Sequence, residues 1–104
     1  MVHFKPQGFS TVSPYLIVSD ASATIEFLEL VLGGELLRKF PDEQGRLRHA
    51  EVRVGDVVIM LADSVPGWPP VAGYVHVYVE NVDETYRLAL AHGALSIQVP
   101  EKKE

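Results

Sequence analysis

The sequence predicts an α+β fold of two paired βαβββ-type modules, which form a curved mixed sheet with a cleft between them. Three observations predict this class. Alternating apolar stretches typical of strands flank two segments with helical spacing. The order strand, cap, helix, glycine occurs twice. The 104 residues, 47% apolar and 22% charged, suit one soluble domain that covers the whole chain.

The first module is assigned to residues 10–63. Asp20 is a good N-cap for a helix whose apolar residues recur at helical spacing until Gly33 and Gly34 end it. Pro14 cannot donate to a ladder, so the strand that contains it is expected at an edge or a bulge. Turns at Gly45 and Gly55 separate the later strands. The predicted strands are 11–18, 35–40, 47–54 and 57–62.

The second module follows a linker. Residues 64–72 contain three prolines and one glycine, which is typical of a connection without regular structure. A strand over 73–79, a helix over 82–92 and a strand over 95–99 come next. Residues 73–104 therefore form a partial βαβ module, incomplete at the C-terminus.

An internal repeat relates the two modules. At an offset of 61 residues, Val18 falls on Val79 and the N-cap Asp20 falls on Asn81. Asn81 and Glu84 also have the spacing of a capping box. Two full units would need roughly 120 residues or more, so we expect about two strands to be missing after the charged end 101–104. Pairing the units would leave a cleft where a small ligand can sit.

Composition excludes several function classes. With no cysteine, the chain cannot be a disulfide scaffold, an iron–sulfur protein or a thiol enzyme. A net charge of −5 argues against nucleic acid as a partner. No run approaches the ~18 apolar residues of a membrane span, so no membrane partner is expected. The first eight residues lack the apolar region of a secretion signal, and a cytoplasmic location is the expectation.

Several segments in this order resemble the vicinal-oxygen-chelate superfamily, which includes glyoxalase I, extradiol dioxygenases and the bleomycin- and fosfomycin-resistance proteins. The segments are Tyr-Leu-Ile-Val-Ser-Asp at 15–20, Ile-Glu-Phe-Leu at 25–28, Leu-Gly-Gly at 32–34, Val-Ile-Met-Leu-Ala-Asp at 58–63, His-Val-Tyr-Val-Glu-Asn-Val-Asp at 76–83 and Ala-His-Gly at 91–93. Segments 13–16 and 49–51 are most similar to the demethylubiquinone-methyltransferase-like branch. The resemblance implies a homodimer, because family sheets are completed or buried by pairing.

The resemblance also says where a family metal would be held. The visible ligand positions are occupied by Ser13, Met60 and Tyr74, which are poor metal ligands, and the last position lies past the chain end. No cofactor is therefore expected. The alternative is a divalent metal at a displaced site formed by His49, Glu51 and His76.

The candidate ligand-binding residues share aromatic or polar tips on strands or on the linker: Tyr15, His49, Met60, Trp68, Tyr74, His76 and Tyr78. Plain sheet packing or a subunit interface is the alternative for this set. Glu51 and His76 are the weak candidates for an acid–base pair. Three arginines of one hairpin suit either an anionic substrate or a solvated edge: Arg46, Arg48 and Arg53.

The function that these observations favour is binding of a small organic molecule in the cleft, without the family's full metal site. Two alternatives stay open. One is a metal-dependent lyase, isomerase or dioxygenase of the same superfamily. Because this alternative is open, the residues do not decide whether the chain is an enzyme. The other is a non-catalytic dimeric assembly module.

Overall fold

The computed structural model describes residues 4–101 and confirms an α+β architecture. Within these residues there are two helices and one sheet, which does not close into a barrel. The elements in chain order are β1 (Tyr15–Val18), α1 (Ala21–Leu32), β2 (Glu35–Pro41), β3 (Leu47–Val54), β4 (Val57–Asp63) and α2 (Val82–Ala91). The strand order is β1-β4-β3-β2, with β1 parallel to β4 and the other neighbours antiparallel.

Helix α1 begins and ends where the sequence predicts. The Asp20 side chain accepts a hydrogen bond from the Ala23 amide at 3.0 Å, which satisfies one of the free donors of the first turn. At the other end Gly33 adopts a φ of 66°, and its amide donates to the Leu28 carbonyl. This left-handed conformation costs glycine little and ends the helix.

The core lies between α1 and one face of the sheet. Each large aliphatic side chain buried there contributes about 1.5–3 kcal/mol to the free energy of unfolding. The cluster consists of Ala21, Ile25, Leu28, Leu47, Ala50, Val52, Ile59 and Leu61. Because successive strand residues point to opposite faces, these positions also identify which residues face away from α1.

Asp63, the last residue of β4, ties three elements together. Its Oδ1 accepts a hydrogen bond from the Ala21 amide and its Oδ2 accepts one from the Leu47 amide, both at 2.7 Å. A carboxylate is favourable at the start of α1, where backbone donors are unsatisfied and the helix dipole is positive. The end of β4 is thereby joined to the start of α1 and the start of β3.

The first strand is shorter than predicted, since β1 starts at Tyr15 and not at residue 11. The Pro14 carbonyl still accepts a hydrogen bond from the Met60 amide at 2.9 Å. β1 lies at one end of the strand order, so the predicted edge position is confirmed. Beyond it, the Val71 amide donates to the Ile17 carbonyl at 3.2 Å, which brings the linker along the outer side of β1.

The two strands predicted over 73–79 and 95–99 are wrong for this chain on its own. Neither segment pairs as a strand among the described residues. Tyr74 and Ile97 are fully exposed, and Tyr78 is 92% exposed. An alternating apolar pattern becomes a strand only when another strand satisfies its backbone groups, and within residues 4–101 no strand pairs with these segments.

Helix α2 between those segments is confirmed. Asn81 caps it, with its side-chain oxygen accepting from the Glu84 amide at 3.0 Å. In the described part of the chain no helix combines the length and the apolar character that crossing a membrane requires.

Candidate functional site

The sheet face turned away from α1, here called the outer face, carries the polar side chains that the sequence singled out. Alternation from the core positions assigns to it Tyr15, Ile17, His49, Glu51, Met60 and Ala62. Pairing of β2 with β3 adds Arg38 opposite Glu51 and Phe40 opposite His49. Strand register sets four of these in one row across the sheet. Tyr15 lies opposite Met60, Met60 opposite Glu51, and Glu51 opposite Arg38.

Glu51 forms the centre of this row. Its side chain is only 3% exposed, and Arg38 holds it with two hydrogen bonds, from Nε to Oε1 at 2.7 Å and from Nη2 to Oε2 at 2.9 Å. The hydrogen bond from Arg38 is the largest cause that lowers the pKa of Glu51, and the one from His49 lowers it further, against the opposing effect of burial. Glu51 is therefore a carboxylate at neutral pH.

Two aromatic rings lie close to the Arg38 guanidinium. Its guanidinium carbon lies 5.8 Å from the centroid of Phe9 and 5.7 Å from that of Phe40, within the range of cation–π attraction. The lead-in segment that contains Phe9 also meets the sheet at Gly8, whose carbonyl accepts a hydrogen bond from Arg53 Nη2 at 2.9 Å. The lead-in thus borders the outer face on the β2 side.

His49 connects Glu51 to Tyr15. Its Nε2 lies 2.8 Å from Glu51 Oε2, and its Nδ1 lies 3.0 Å from the Tyr15 hydroxyl. The His49 ring also packs against Tyr15, with centroids 5.5 Å apart. The result is a continuous hydrogen-bonded chain from Arg38 through Glu51 and His49 to Tyr15, which we call the outer-face network.

A pocket of about 530 Å³ opens beside the Tyr15 end of the network. Its walls are mostly apolar, with Tyr15 and Trp68 as the aromatic members. The lining residues are Tyr15, Ile17, Arg48, Ala62, Asp63, Val65 and Trp68. Trp68 is positioned by a tight turn of the linker, in which Val65 and Trp68 exchange backbone hydrogen bonds of 3.0 and 2.8 Å.

The three hairpin arginines have different environments. Arg46 pairs with Asp42 at 3.3 Å, and Arg53 pairs with Glu35 at 3.4 Å. Arg48 instead lines the pocket. Of the three arginines, only Arg48 is thus placed at the candidate site.

The structure brings some of the predicted site residues together and leaves others apart. Tyr15, His49 and Glu51 are hydrogen-bonded to one another, and Met60 lies between Tyr15 and Glu51 in the register. Trp68 lines the pocket. Tyr74, His76 and Tyr78 lie on the 73–79 segment and do not line it, and the His76 ring packs edge-on against Tyr78 at 4.8 Å.

Arg38 belongs to the network, and sequence reasoning missed it. Leu36 packs against the core, so simple alternation would also turn Arg38 towards α1. A register shift between Leu36 and Arg38 reverses this and places Arg38 opposite Glu51. The bulge leaves no clear signal in the residues of β2, and only the pairing with β3 reveals it.

The side chains on this face that could ligate a metal ion are hydrogen-bonded to one another. Both ring nitrogens of His49 and both oxygens of Glu51 are hydrogen-bonded within the network, whereas His76 lies on the 73–79 segment, where its ring packs against Tyr78. Across residues 4–101, histidine, aspartate and glutamate side chains form no cluster of three that could hold a metal. The Ser13 hydroxyl lies 3.0 Å from that of Ser10. A metal-free site remains a prediction.

The chain is similar to curated relatives, of which two are compared with it. They are uncharacterized proteins of Mycobacterium bovis and Mycobacterium tuberculosis, each 31% identical in an alignment 103 positions long that covers 86% of this chain. The match covers 66% of the first relative and 59% of the second. The chain therefore spans less than two thirds of the length of these relatives.

Solved structures share the fold. TioX from Micromonospora sp. ML1 is 26% identical with a TM-score of 0.63, over 90% of this chain and 79% of that one. A glyoxalase/bleomycin resistance protein from Streptomyces sp. CB03234 is 23% identical with a TM-score of 0.64, over 90% and 82%. The fosfomycin resistance protein FosX from Listeria monocytogenes is 18% identical with a TM-score of 0.61, over 81% and 70%. The latter two likenesses concern the fold alone.

The family model gives the wider assignment. Residues 3–103 match the model described as Glyoxalase/Bleomycin resistance protein/Dioxygenase superfamily. The match extends over both predicted modules and the linker between them. The demethylubiquinone-methyltransferase-like branch remains a prediction. With this match, the shared fold and the order of its motifs, the chain belongs to the glyoxalase/bleomycin resistance protein/dioxygenase superfamily.

Proposed function

We propose that this protein binds a small organic molecule in the outer-face pocket, without the family's full metal site. The observation that carries the proposal is the pocket itself, where the aromatic side chains of Tyr15 and Trp68 stand beside an internally satisfied polar network. Small-molecule sites combine apolar walls with a few placed polar groups. The pocket, at about 530 Å³, lies within their usual range of about 300–1,000 Å³.

A second copy of the chain would complete the cleft. Residues 73–79 and 95–99 present large apolar side chains to solvent, with Leu95 92% exposed and Ile97 fully exposed. Large contiguous apolar patches are uncommon on monomers and mark interaction surfaces. We therefore include a homodimer in the proposal. A cytoplasmic location is a separate part of the same proposal.

The names of fold neighbours support a small-molecule ligand. Two neighbours are named for resistance to bleomycin and fosfomycin, and one FosX variant structure contains Mn(II) and 1S,2S-dihydroxypropylphosphonic acid. The manganese in that complex also keeps the metal-dependent enzyme as the alternative. In this chain the side chains that would bind a metal are hydrogen-bonded to one another, which favours the metal-free site.

Thermal unfolding in the presence of a metabolite and drug panel tests the proposal. A ligand that binds the folded state raises the Tm, and we expect Trp68→Ala to abolish most of that rise. Leu30→Ala, an apolar truncation at a half-exposed position of α1, is the matched control and should keep the full rise. Trp68 is the single tryptophan, so quenching of its fluorescence gives a second readout.

Elemental analysis of the purified protein separates the alternatives. Stoichiometric metal that is lost in His76→Ala would contradict the metal-free site and support the enzyme. The absence of any stabilising ligand, together with a stable dimer, would support the assembly module instead.

A further inference from the structure

Resting on the proposed function, we infer that Tyr15 presents its hydroxyl oxygen to the pocket as a hydrogen-bond acceptor, so that the site selects an aromatic ligand with an N–H or O–H donor. Tyr15 contacts the ligand in this proposal, while His49, Glu51 and Arg38 are positioning residues. The direction of hydrogen bonding along the outer-face network carries the inference.

The direction is set at the Arg38 end. Guanidinium groups only donate, and Arg38 donates to both oxygens of Glu51. The carboxylate, 3% exposed, therefore has only acceptor sites left. Any further partner of Glu51 must donate a hydrogen to it.

Because Glu51 can only accept, it determines which nitrogen of His49 carries a hydrogen. Its Nε2, 2.8 Å from Glu51 Oε2, must carry the hydrogen of that bond. In a neutral imidazole the other nitrogen then has no hydrogen and accepts. His49 Nδ1 lies 3.0 Å from the Tyr15 hydroxyl, so Tyr15 is the donor of the second bond.

Tyr15 has one hydroxyl hydrogen, which it donates in the hydrogen bond to His49 Nδ1. Its oxygen retains lone pairs that can only accept, and Tyr15 is half-exposed and lines the pocket. A ligand that reaches this oxygen must bring its own donor.

The other polar lining groups are Asp63 and Arg48. Each oxygen of Asp63 accepts one backbone hydrogen bond, from Ala21 or from Leu47, and any further partner of this carboxylate must also be a donor. Arg48 only donates. The remaining walls of the pocket are apolar and consist of the Trp68 indole and the side chains of Ile17, Ala62 and Val65. Such walls suit a flat apolar ring. The recognised class is thus an aromatic N–H heterocycle or a phenol.

Indole and 1-methylindole are the probes, because they share a ring and differ in the N–H donor. We expect indole to bind the full chain about tenfold more tightly, as measured by equilibrium dialysis, which is the upper range for one hydrogen bond. Tyr15→Phe should bring this ratio close to one. Val65 lines the same pocket but lies outside the network. Val65→Ala should weaken the binding of both probes equally and leave the ratio of their affinities unchanged.

Glu51→Gln tests the positioning role separately. A glutamine can accept from Arg38 Nε with its oxygen and donate from its amide to His49 Nε2, which moves the ring hydrogen to Nδ1 and leaves Arg38 Nη2 without its acceptor. Tyr15 then accepts from His49, and the preference for indole should disappear. Nitrogen-15 NMR of the His49 ring should show the Nε2–H form in the parent protein and the Nδ1–H form in this variant.

The outcomes distinguish this inference from the proposed function. Equal affinity for the two probes, or a preference that survives in Tyr15→Phe, overturns the inference and leaves small-molecule binding intact. An Nδ1–H ring in the parent protein also overturns it. A pocket that binds neither these probes nor any panel compound overturns both.

Discussion

Arg38 and Glu51 face each other across β2 and β3 and form a two-pronged ion pair, with nitrogen–oxygen distances of 2.7 and 2.9 Å. Glu51 is buried, whereas the Arg38 side chain is 56% exposed. The Glu51 carboxylate is therefore a buried charge, and burying a charge is costly unless an opposite charge and hydrogen bonds compensate it. Arg38 supplies both. The register shift in β2 makes this pairing geometrically available.

Loss of the Glu51 carboxylate should destabilise the protein. Glu51→Ala removes the acceptor for Arg38 and His49 and leaves a gap in a buried position, so we expect a loss of about 1–3 kcal/mol in the free energy of unfolding. Urea denaturation measures it. Glu43→Ala, in the exposed turn between β2 and β3, is the control and should change stability by less than about 0.5 kcal/mol. Equal effects at both positions would contradict a stabilising role for Glu51.

The contribution of Glu51 should depend on pH in a defined direction. Arg38, and then His49, lower its pKa in the folded protein below the ordinary glutamate value of about 4.3. Its stabilising contribution is therefore complete above that ordinary value and is lost as the pH falls through the lower folded pKa. The stability difference between the parent and Glu51→Gln should shrink over this acidic range in urea titrations. A difference that grows on acidification would show the opposite sign of shift.

Asp63 should be sensitive to loss of one oxygen. Asp63→Asn keeps one acceptor for either the Ala21 or the Leu47 amide but not both. The remaining amide loses its partner, and we expect destabilisation of about 1–3 kcal/mol by thermal or chemical unfolding. Asp56→Asn, in the tight turn between β3 and β4, is the matched substitution and should be nearly neutral.

Gly34 should not tolerate a side chain. A Cβ there would lie 2.8 Å from Val52 Cγ1 and 3.0 Å from the Leu28 carbonyl oxygen. We expect Gly34→Ala to cost about 1–3 kcal/mol, as overpacking does. Gly67→Ala meets nothing within 4 Å and should leave the unfolding midpoint within error of the parent. A neutral Gly34→Ala would mean that helix and sheet separate easily at this point.

The exposed apolar segments should mediate self-association. We expect the parent to elute as a dimer with a mass of about 23 kDa by light scattering, twice the chain mass of 11.5 kDa. Ile97→Lys places a charge on this surface and should shift the protein towards monomer. Val12→Lys changes another exposed aliphatic position, outside residues 73–79 and 95–99, and should leave the dimer unchanged. A monomeric parent would contradict the homodimer.

Much of the first module followed from local signals. The N-cap Asp20 and the left-handed Gly33 delimit α1, and the strands from 35 to 63 lie within a residue of their predicted bounds, because alternation and turn glycines act over short distances. The candidate site was predictable in part for the same reason. Alternation places His49 and Glu51 on one face of a single strand whatever the fold around them.

The remainder depended on partners distant in the sequence. Arg38 reaches Glu51 through a bulge that only strand pairing reveals, and Tyr15 meets His49 across 34 residues. Residues 73–79 have a strand-like pattern but no ladder, since a strand needs a neighbour to satisfy its backbone. Residue pattern alone determined the helices, the core strands and the family resemblance. Only the tertiary structure decided which polar groups meet, because hydrogen bonds between side chains depend on register and face.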